Sequence, residues 1–358
     1  MAPRDPLFEA SKKANEVIED LSLKDRIRDG GYMRVDPAQI AATVNVQVMY
    51  KKLDKLLGGF IRERSNPGIL VNCNRPRGLM HMTCAHELGH FFLNHESSAD
   101  QEIYHGTSAS MVERTADQFA YSLLAPRWLV AKTMNERKWT TADLVQPHVV
   151  YQMSLRLGVS FKAMVWSLNR LKLLKDPVTL ALDKIQPKAL KLQALRGAEL
   201  EDANADVWVL DPADKERVLE PGYGDRFVLE LPNHAGSGHL WSVDDLRSEG
   251  FTLQPFTADG RQRDHAQSRN VIVGSGNAML SYVLDPPEMY RHPAEKDEDL
   301  DPIYARRKEV SLQEVTPWLP ASQAIDTFAF NTEFEPTREG LSVSEREKLV
   351  LASLQRKQ

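Results

Sequence analysis

The segment Ala85-His86-Glu87-Leu88-Gly89-His90 constrains the fold of this chain more than any other. It lies in a run with helical spacing, which predicts a helix from about Leu79 to Asn94. Residues four apart lie about 40° apart around a helix axis, so both imidazoles reach one side. Histidine nitrogens bind zinc readily, and Glu87 would lie beside the ion without binding it. The spacing predicts a metal site; the alternative is a solvated helix that happens to carry two histidines.

A second helix, predicted from Ser110 to Leu124, carries the carboxylates that would complete this site. Glu113 is expected to be the third ligand, and Asp117, four residues later, to orient a histidine. A histidine six residues after His90 is the other common third ligand, but Glu96 occupies that position. Three further histidines have no spacing that favours ligation and are expected to be structural or at the surface: His81, His95 and His105.

Composition indicates a soluble protein of the cytoplasm. Two cysteines, Cys73 and Cys84, are too few for a disulfide framework in 358 residues, and we expect both to pack in the interior. The net charge of -5 gives no electrostatic reason to bind nucleic acid or an anionic membrane. The sequence shows neither a secretory signal nor an apolar run long enough for a membrane helix.

The hydrophobic pattern of the sequence changes from helical to strand-like near the middle of the chain. The first half has helical patterns, including two short helices at about 149–174, and a linker is predicted at 176–206. From Val207 to about residue 335, short alternating runs such as Arg226 to Leu231 are separated by Gly, Pro, Asn and Asp. This pattern is typical of an antiparallel sandwich. Residues 336–358 are predicted to form a terminal tail with a solvated helix.

The first half resembles the ImmA/IrrE family of metallopeptidases. The resemblance rests on the metal motif, on Glu113-Arg-Thr-Ala-Asp117-Gln-Phe-Ala120 and on Leu123-Leu-Ala-Pro126, and it covers roughly residues 30 to 175. It implies a mainly helical, zincin-like domain over residues 1–175 with a small antiparallel sheet. It also implies Zn²⁺ bound by His86, His90 and Glu113, with Glu87 as the catalytic base. Family members cleave helix-turn-helix transcriptional repressors, so such a repressor is the expected partner, in a stress or mobile-element response.

The second half resembles the chagasin-like cysteine-protease inhibitors. Leu231 to Trp241 is similar to their first inhibitory loop, and Gly274 to Gly276 and Thr316 to Trp318 follow in the order of the other two, with an insertion at 285–308. The resemblance implies an immunoglobulin-like (chagasin-like) sandwich over 207–335, which makes the whole chain α+β. The relatives' Asn-Pro-Thr-Thr-Gly is replaced by His234-Ala-Gly-Ser-Gly238, without the rigid proline. We therefore expect this half to recognise a protein partner or to control the adjoining active site, and not to be an efficient protease inhibitor. An exposed Trp318 would suit an interface anchor; the alternative is that Trp241 and Trp318 both fill the sandwich.

These features predict a zinc-dependent endopeptidase and leave two alternatives open. One is a zinc-bearing scaffold without catalysis that binds a repressor or DNA; the other is an inhibitor module carried by the second half. DNA binding is not expected, because the second of the two short helices has only three basic residues: Lys162, Arg170 and Lys172. Ile69 to Asn72 is predicted to be an edge strand that could align an extended substrate. Three residues are candidates to stabilise the oxyanion: Tyr104, Tyr121 and His105.

Overall fold

The structure is a computed structural model, and it describes residues 5–63, 66–96, 98–100, 110–196, 200, 202–232, 234–256, 279–291, 307–319 and 323–355. The chain forms two compact units. The first contains Met1–Ile185 together with Thr337–Gln358, and the second contains Gln186–Pro336. Among the described residues, no helix has the length and apolar character needed to cross a bilayer.

Helices make up most of the first unit. In chain order, the first four are α1 (Pro6–Asp20), α2 (Leu23–Arg28), α3 (Pro37–Thr43) and α4 (Arg77–Phe92), which carries the metal motif. They continue as α5 (Met111–Leu124), α6 (Arg127–Glu136), α7 (Pro147–Leu157), α8 (Phe161–Arg170) and α9 (Asp176–Asp183). Asp36 is the N-cap of α3, and its carboxylate accepts hydrogen bonds from the backbone N–H groups of Ala38 and Gln39 at 2.9 and 3.2 Å.

The small sheet of the first unit is mixed. Its strands are β1 (Gln47–Lys51), β2 (Gly58–Ile61), β3 (Gly68–Asn72), β4 (Ser98–Asp100) and β13 (Gly340–Leu341), in the order β13-β1-β3-β2-β4. The prediction of an antiparallel sheet is wrong, because β1 and β3 run parallel. The prediction that residues 69–72 form an edge strand is also wrong, since β3 pairs with β1 on one side and β2 on the other. The second partner, β2, was not predicted as a strand because it begins with two glycines, a residue type that is uncommon in strands.

Helix α4 lies in the centre of the first unit, between this sheet and α5. Its side chains are buried from Met80 to His90. Gly89 permits the close contact with α5, because a Cβ atom there would lie 3.0 Å from both Cα and O of Ala116. The histidines of α4 and the carboxylates of α5 therefore face each other across a short distance.

The short helices α7 and α8 pack into the first unit. Arg156 of α7 is 2% exposed and donates to the backbone carbonyl and side-chain oxygen of Gln152. Lys162 of α8 forms an ion pair with Asp183 at 3.6 Å, and the Arg170 guanidinium lies 3.8 Å from the centre of the Tyr121 ring. These basic side chains take part in packing and pairing within the unit.

The second unit is rich in β-structure. Helix α10 (Pro187–Ala194) precedes two four-stranded sheets built from β5 (Val207–Leu210), β6 (Val218–Leu219), β7 (Arg226–Pro232), β8 (Leu240–Val243), β9 (Thr252–Pro255), β10 (Met279–Asp285), β11 (Arg307–Val315) and β12 (Asp326–Glu333). Their orders are β5-β7-β10-β9 and β6-β12-β11-β8, with parallel pairs at β5-β7 and β6-β12. The β-rich second half was predicted correctly.

The predicted linker and the predicted C-terminal tail both contain helices or strands that belong to the two units. The region 176–206 contains α9 and α10, with α9 in the first unit and α10 in the second. Residues 337–358 return to the first unit, where β13 pairs with β1 and α11 (Val343–Gln355) follows. Lys348 of α11 donates to the Ala42 carbonyl at 3.0 Å and to Asn45 Oδ1 at 2.7 Å. The predicted loop at 274–276 lies outside the described residues.

Candidate metal centre

Three side chains from two helices converge in the first unit. His86 and His90 lie on one face of α4, and Glu113 lies in the first turn of α5. Ser110 is the N-cap of α5 and accepts a hydrogen bond from the backbone N–H of Glu113 at 3.3 Å, which fixes where this turn begins. One ligand atom from each side chain lies within 4.8 Å of the other two, so the cluster could hold a metal ion.

The distances within the cluster fit a tetrahedral ion. His86 Nε2 lies 3.1 Å from His90 Nε2 and 3.2 Å from Glu113 Oε2, and His90 Nε2 lies 3.6 Å from Glu113 Oε2. Two ligands of a tetrahedral zinc ion, with bonds of about 2.0–2.1 Å, are about 3.3 Å apart. Three protein ligands leave the fourth position of a tetrahedron open. His86, His90 and Glu113 are thus suited to hold an ion of this size.

Asp117 contacts the first histidine, as its spacing on α5 predicts. Its Oδ1 lies 2.9 Å from His86 Nδ1, and both side chains are buried. An ionised carboxylate only accepts hydrogen bonds, so it favours the tautomer in which Nδ1 carries the proton. The lone pair of Nε2 is then directed toward the centre of the cluster.

His95 makes the corresponding contact with the second histidine, and the sequence reasoning missed it. Its Nδ1 lies 3.1 Å from His90 Nδ1. Helix α4 ends at Phe92, and Asn94 has the left-handed φ of 61°, so the chain turns back. The backbone N–H of His95 donates to the carbonyl of His90 at 2.9 Å. The signal in the sequence was Asn94, a residue type that commonly ends helices in this conformation.

Arg62 holds this turn in place. Its Nη2 donates to the backbone carbonyls of His90 and Phe91 at 3.1 and 3.0 Å, and its Nε donates to that of His95 at 2.7 Å. The carbonyls at the end of a helix have no partners within it, so an arginine is a suitable partner there. Arg62 therefore fixes the backbone at both His90 and His95.

Two groups have shifted pKa values that suit metal binding. The adjacent His86 and His90 imidazoles hold the pKa of Glu113 well below its usual value, so this side chain is an ionised carboxylate. Burial, with a contribution from His90, lowers the pKa of His95 to about 4. A neutral His95 can accept a hydrogen bond from the N–H group at His90 Nδ1, which leaves the lone pair of His90 Nε2 free to bind a metal ion.

Glu87 lies next to the cluster in sequence and is completely buried. It is on the side of α4 that faces β2, where a Cβ atom built on Gly58 would lie 3.3 Å from Glu87 Oε1. The same Cβ would lie 2.5 Å from Thr83 Cγ2 and 2.7 Å from the Leu70 carbonyl oxygen. Glycine at position 58 therefore lets β2 approach the carboxylate closely.

The other candidates of the sequence analysis lie elsewhere. His81 Nδ1 contacts the carbonyl of Gly158 at 2.8 Å, which gives it a structural role. Cys84 and Cys73 are both free and buried, and burial raises the pKa of each thiol. Tyr121 is buried against Arg170, eight residues or about 12 Å along α5 from Glu113. Two candidates, Tyr104 and His105, lie outside the described residues.

Comparison with known proteins places this cluster in a recognised domain. Residues 41–169 match the family model Peptidase_M78, the IrrE N-terminal-like domain. The "Uncharacterized immunity region protein 2" of Bacillus phage phi105 is 28% identical over 109 residues, which are 29% of this chain and 67% of the phage protein. The family resemblance seen in the sequence is therefore confirmed.

Part of this chain is similar to two solved structures. The cysteine protease inhibitor EhICP2 from Entamoeba histolytica is matched over 37% of this chain and 100% of its own, with 10% identity and a TM-score of 0.24. Amebosin is matched over 37% of this chain and 98% of its own, with 18% identity and a TM-score of 0.24. The residues that match the IrrE N-terminal-like domain model, 41–169, thus include His86, His90 and Glu113.

Proposed function

We propose that this chain is a zinc-dependent endopeptidase in which His86, His90 and Glu113 bind the zinc ion. The observation that carries the proposal is the set of three ligand atoms, 3.1 to 3.6 Å apart, inside a peptidase-family domain. Two histidines and one glutamate are the protein ligands of several zinc peptidases. Asp117 and His95 support the assignment, because each contacts the outward nitrogen of one ligand histidine.

Glu87 is the proposed general base. It is adjacent to His86 on α4 and fully buried, and it does not belong to the ligand cluster. When bound, zinc would supply Lewis-acid activation of water and of the scissile carbonyl. Glu87 accepts the proton of the attacking water on a carboxylate oxygen and passes it to the nitrogen of the leaving amine. The peptide bond is thereby hydrolysed, and Glu87 returns to its ionised form.

The proposed substrate is a helix-turn-helix transcriptional repressor. The family resemblance implies this class of substrate, and the name of the phage relative, an immunity region protein, supports a role in a mobile-element response. A repressor encoded beside this gene is the first substrate to test. The zinc-loaded full chain and the purified repressor are incubated together, and any cut is located by mass spectrometry.

The matched pair Glu87→Gln and Glu96→Gln tests the mechanism. Each change replaces a carboxylate by an amide in or near the end of α4, but Glu96 is exposed. Glu87→Gln should lose cleavage and retain zinc, because it removes the base and none of the ligands. Glu96→Gln should cleave at the rate of the unchanged protein. Cleavage by Glu87→Gln at the full rate would refute the mechanism, and a repressor left intact by the unchanged protein would favour the zinc-bearing scaffold.

The second unit is proposed to recognise a protein partner. Trp318 is 65% exposed and lies against Gly238, at the loop that resembles the first inhibitory loop. A large exposed aromatic side chain is the residue type that most often anchors a protein interface. Replacing residues 186–336, the whole second unit, with a flexible Gly/Ser linker should leave zinc binding intact and change cleavage of the substrate. The segment 337–358 must be kept, because β13 and α11 belong to the first unit.

Unchanged cleavage after this replacement would show that the second unit does not help to recognise the substrate. A separate assay addresses inhibition: the full chain is titrated into a papain-like protease. We expect no tight inhibition, because the loop at His234 to Gly238 lacks a rigid proline. Tight inhibition would instead support the alternative in which the second half of the chain is a protease-inhibitor module.

A further inference from the structure

A cavity of about 540 Å³ lies in the first unit, along the C-terminal half of α5. Its wall is formed by residues of four helices, α1, α5, α6 and α8, together with the segments that follow α5 and α8. Asn15 and Arg127 are exposed and part of the wall, so the cavity opens to solvent. Its volume is within the range of about 300–1,000 Å³ for small-molecule sites.

Two hydrogen-bond donors in this wall have no acceptor among the described residues. Arg170 Nη1 and Trp128 Nε1 are both buried atoms, and neither has a hydrogen-bond partner in the part of the chain that the structure describes. Leaving a buried donor unsatisfied is costly, so such groups normally meet a partner in the protein, in water or in a ligand. The guanidinium of Arg170 is held by its contact with the ring of Tyr121, 3.8 Å from the ring centre.

The charge of the wall favours an anion. Arg127 and Arg170 are its charged residues, and none of the described lining residues is acidic. The carboxylate of Asp183, which also acts on Tyr121, accepts from Trp166 Nε1 at 2.9 Å and pairs with Lys162 at 3.6 Å. In addition, α6 begins at the wall, and its N-cap, Pro126, has no side chain to accept from the first N–H groups. The positive end of that helix adds to the two guanidinium charges.

The rest of the cavity wall includes apolar side chains that can contact the apolar part of a ligand. The rings of Tyr121 and Trp128 and the side chain of Leu171 provide apolar surface. Elsewhere in the wall, Gln118 Nε2 donates to Ser11 Oγ at 2.8 Å, and Ser122 Oγ donates to the same atom at 3.2 Å. These three side chains thus form a fixed polar network, whereas Arg170 Nη1 and Trp128 Nε1 have no acceptor among the described residues.

We propose that this cavity is a binding site for a small organic anion. The carboxylate or phosphate of the ligand accepts hydrogen bonds from Arg170 and Trp128, and its apolar or aromatic body lies against Tyr121 and Leu171. The site is separate from the metal cluster and does not depend on peptidase activity.

Calorimetry on the zinc-loaded full chain tests this site with four probes. Naphthoate and naphthyl phosphate carry the two possible anionic groups on a naphthyl ring. Naphthamide has the same ring without a charge, and inorganic phosphate has the charge without the ring. At least one of the organic anions should bind with one site per chain and more tightly than naphthamide. If naphthyl phosphate binds, it should also bind more tightly than inorganic phosphate. The assignment would be overturned if neither organic anion binds, if the anions bind no more tightly than naphthamide, or if naphthyl phosphate binds only as tightly as inorganic phosphate.

Variants show whether binding occurs in this cavity. Arg170→Met should weaken binding of the organic anion by at least about tenfold, because it removes a charged hydrogen bond. Arg28→Met removes an exposed arginine that pairs with Asp25 and Asp29, and it should leave binding unchanged. Trp128→Phe removes the second donor but keeps an aromatic wall, and it serves if Arg170→Met does not fold. Unchanged affinity in a folded Arg170→Met or Trp128→Phe variant would overturn the proposal.

Discussion

The imidazole of His95 lies directly against that of His90, with 3.1 Å between their Nδ1 atoms. In a continuous helix, residues five apart point in directions about 140° apart and would not meet. They meet here because α4 ends at Phe92 and the left-handed Asn94 turns the chain back. His90 thereby acquires a partner on its outward nitrogen, as His86 does in Asp117.

Replacement of His95 by phenylalanine should weaken zinc binding. The change keeps an aromatic ring but removes the acceptor that orients His90, and loss of such a partner costs about 10–100-fold in metal affinity. Competition with a chromophoric zinc chelator measures the change. His148→Phe, at an exposed position of α7, is the matched control and should keep full affinity. Full affinity in His95→Phe would show that the contact does not orient the ligand.

The protein should contain one zinc ion per chain. The three ligand atoms of the cluster, from His86, His90 and Glu113, form one site with an open fourth position. Elemental analysis of protein purified without chelators gives the stoichiometry. The double variant His86→Ala, His90→Ala should contain almost no zinc, whereas His239→Ala in the second unit should be fully loaded. Zinc retained by the double variant would place the metal elsewhere.

Gly58→Ala should destabilise the first unit, whereas Gly68→Ala should not. A Cβ atom at position 58 would lie 2.7 Å from the Leu70 carbonyl and 2.5 Å from Thr83 Cγ2, so backbone must shift. Overpacking of this kind costs about 1–3 kcal/mol. At position 68 the nearest atom is the Gln47 carbonyl oxygen at 3.8 Å, an ordinary contact. Urea denaturation compares the two variants, and equal stabilities would contradict the close approach of β2 to α4.

The two tryptophans near the first loop of the second unit should differ in their contribution to stability. Trp241 is 6% exposed, and its Nε1 donates to the Pro232 carbonyl at 2.9 Å, so Trp241→Ala should cost about 3–5 kcal/mol. Trp318 is 65% exposed, so Trp318→Ala should change the free energy of unfolding by less than about 1 kcal/mol.

Thermal and urea denaturation of the second unit within the full chain measures both effects. If Trp318 contacts the substrate, Trp318→Ala should also slow cleavage of the repressor while leaving zinc content unchanged. A large loss of stability in Trp318→Ala would instead show that this side chain is part of the core.

The sequence by itself predicted the three side chains of the cluster that could hold a metal ion. A histidine pair four apart requires a helix for both side chains to share a face, and a second amphipathic helix with Glu113 and Asp117 limits the choice of third ligand. Such information is local, because helix periodicity and capping depend on residues only a few positions apart. The same holds for the change from helical to alternating patterns near Val207, which predicted the β-rich second unit.

Tertiary structure decided which distant segments meet. The return of residues 337–358 to the first unit, and the position of β3 between β1 and β2, depend on pairings between strands far apart in sequence. No local pattern specifies such a partner, because an alternating strand can pair with any other that covers its apolar face. His95 is the intermediate case: the asparagine that turns the chain is visible in the sequence, but its contact with His90 depends on where Arg62 fixes the end of α4.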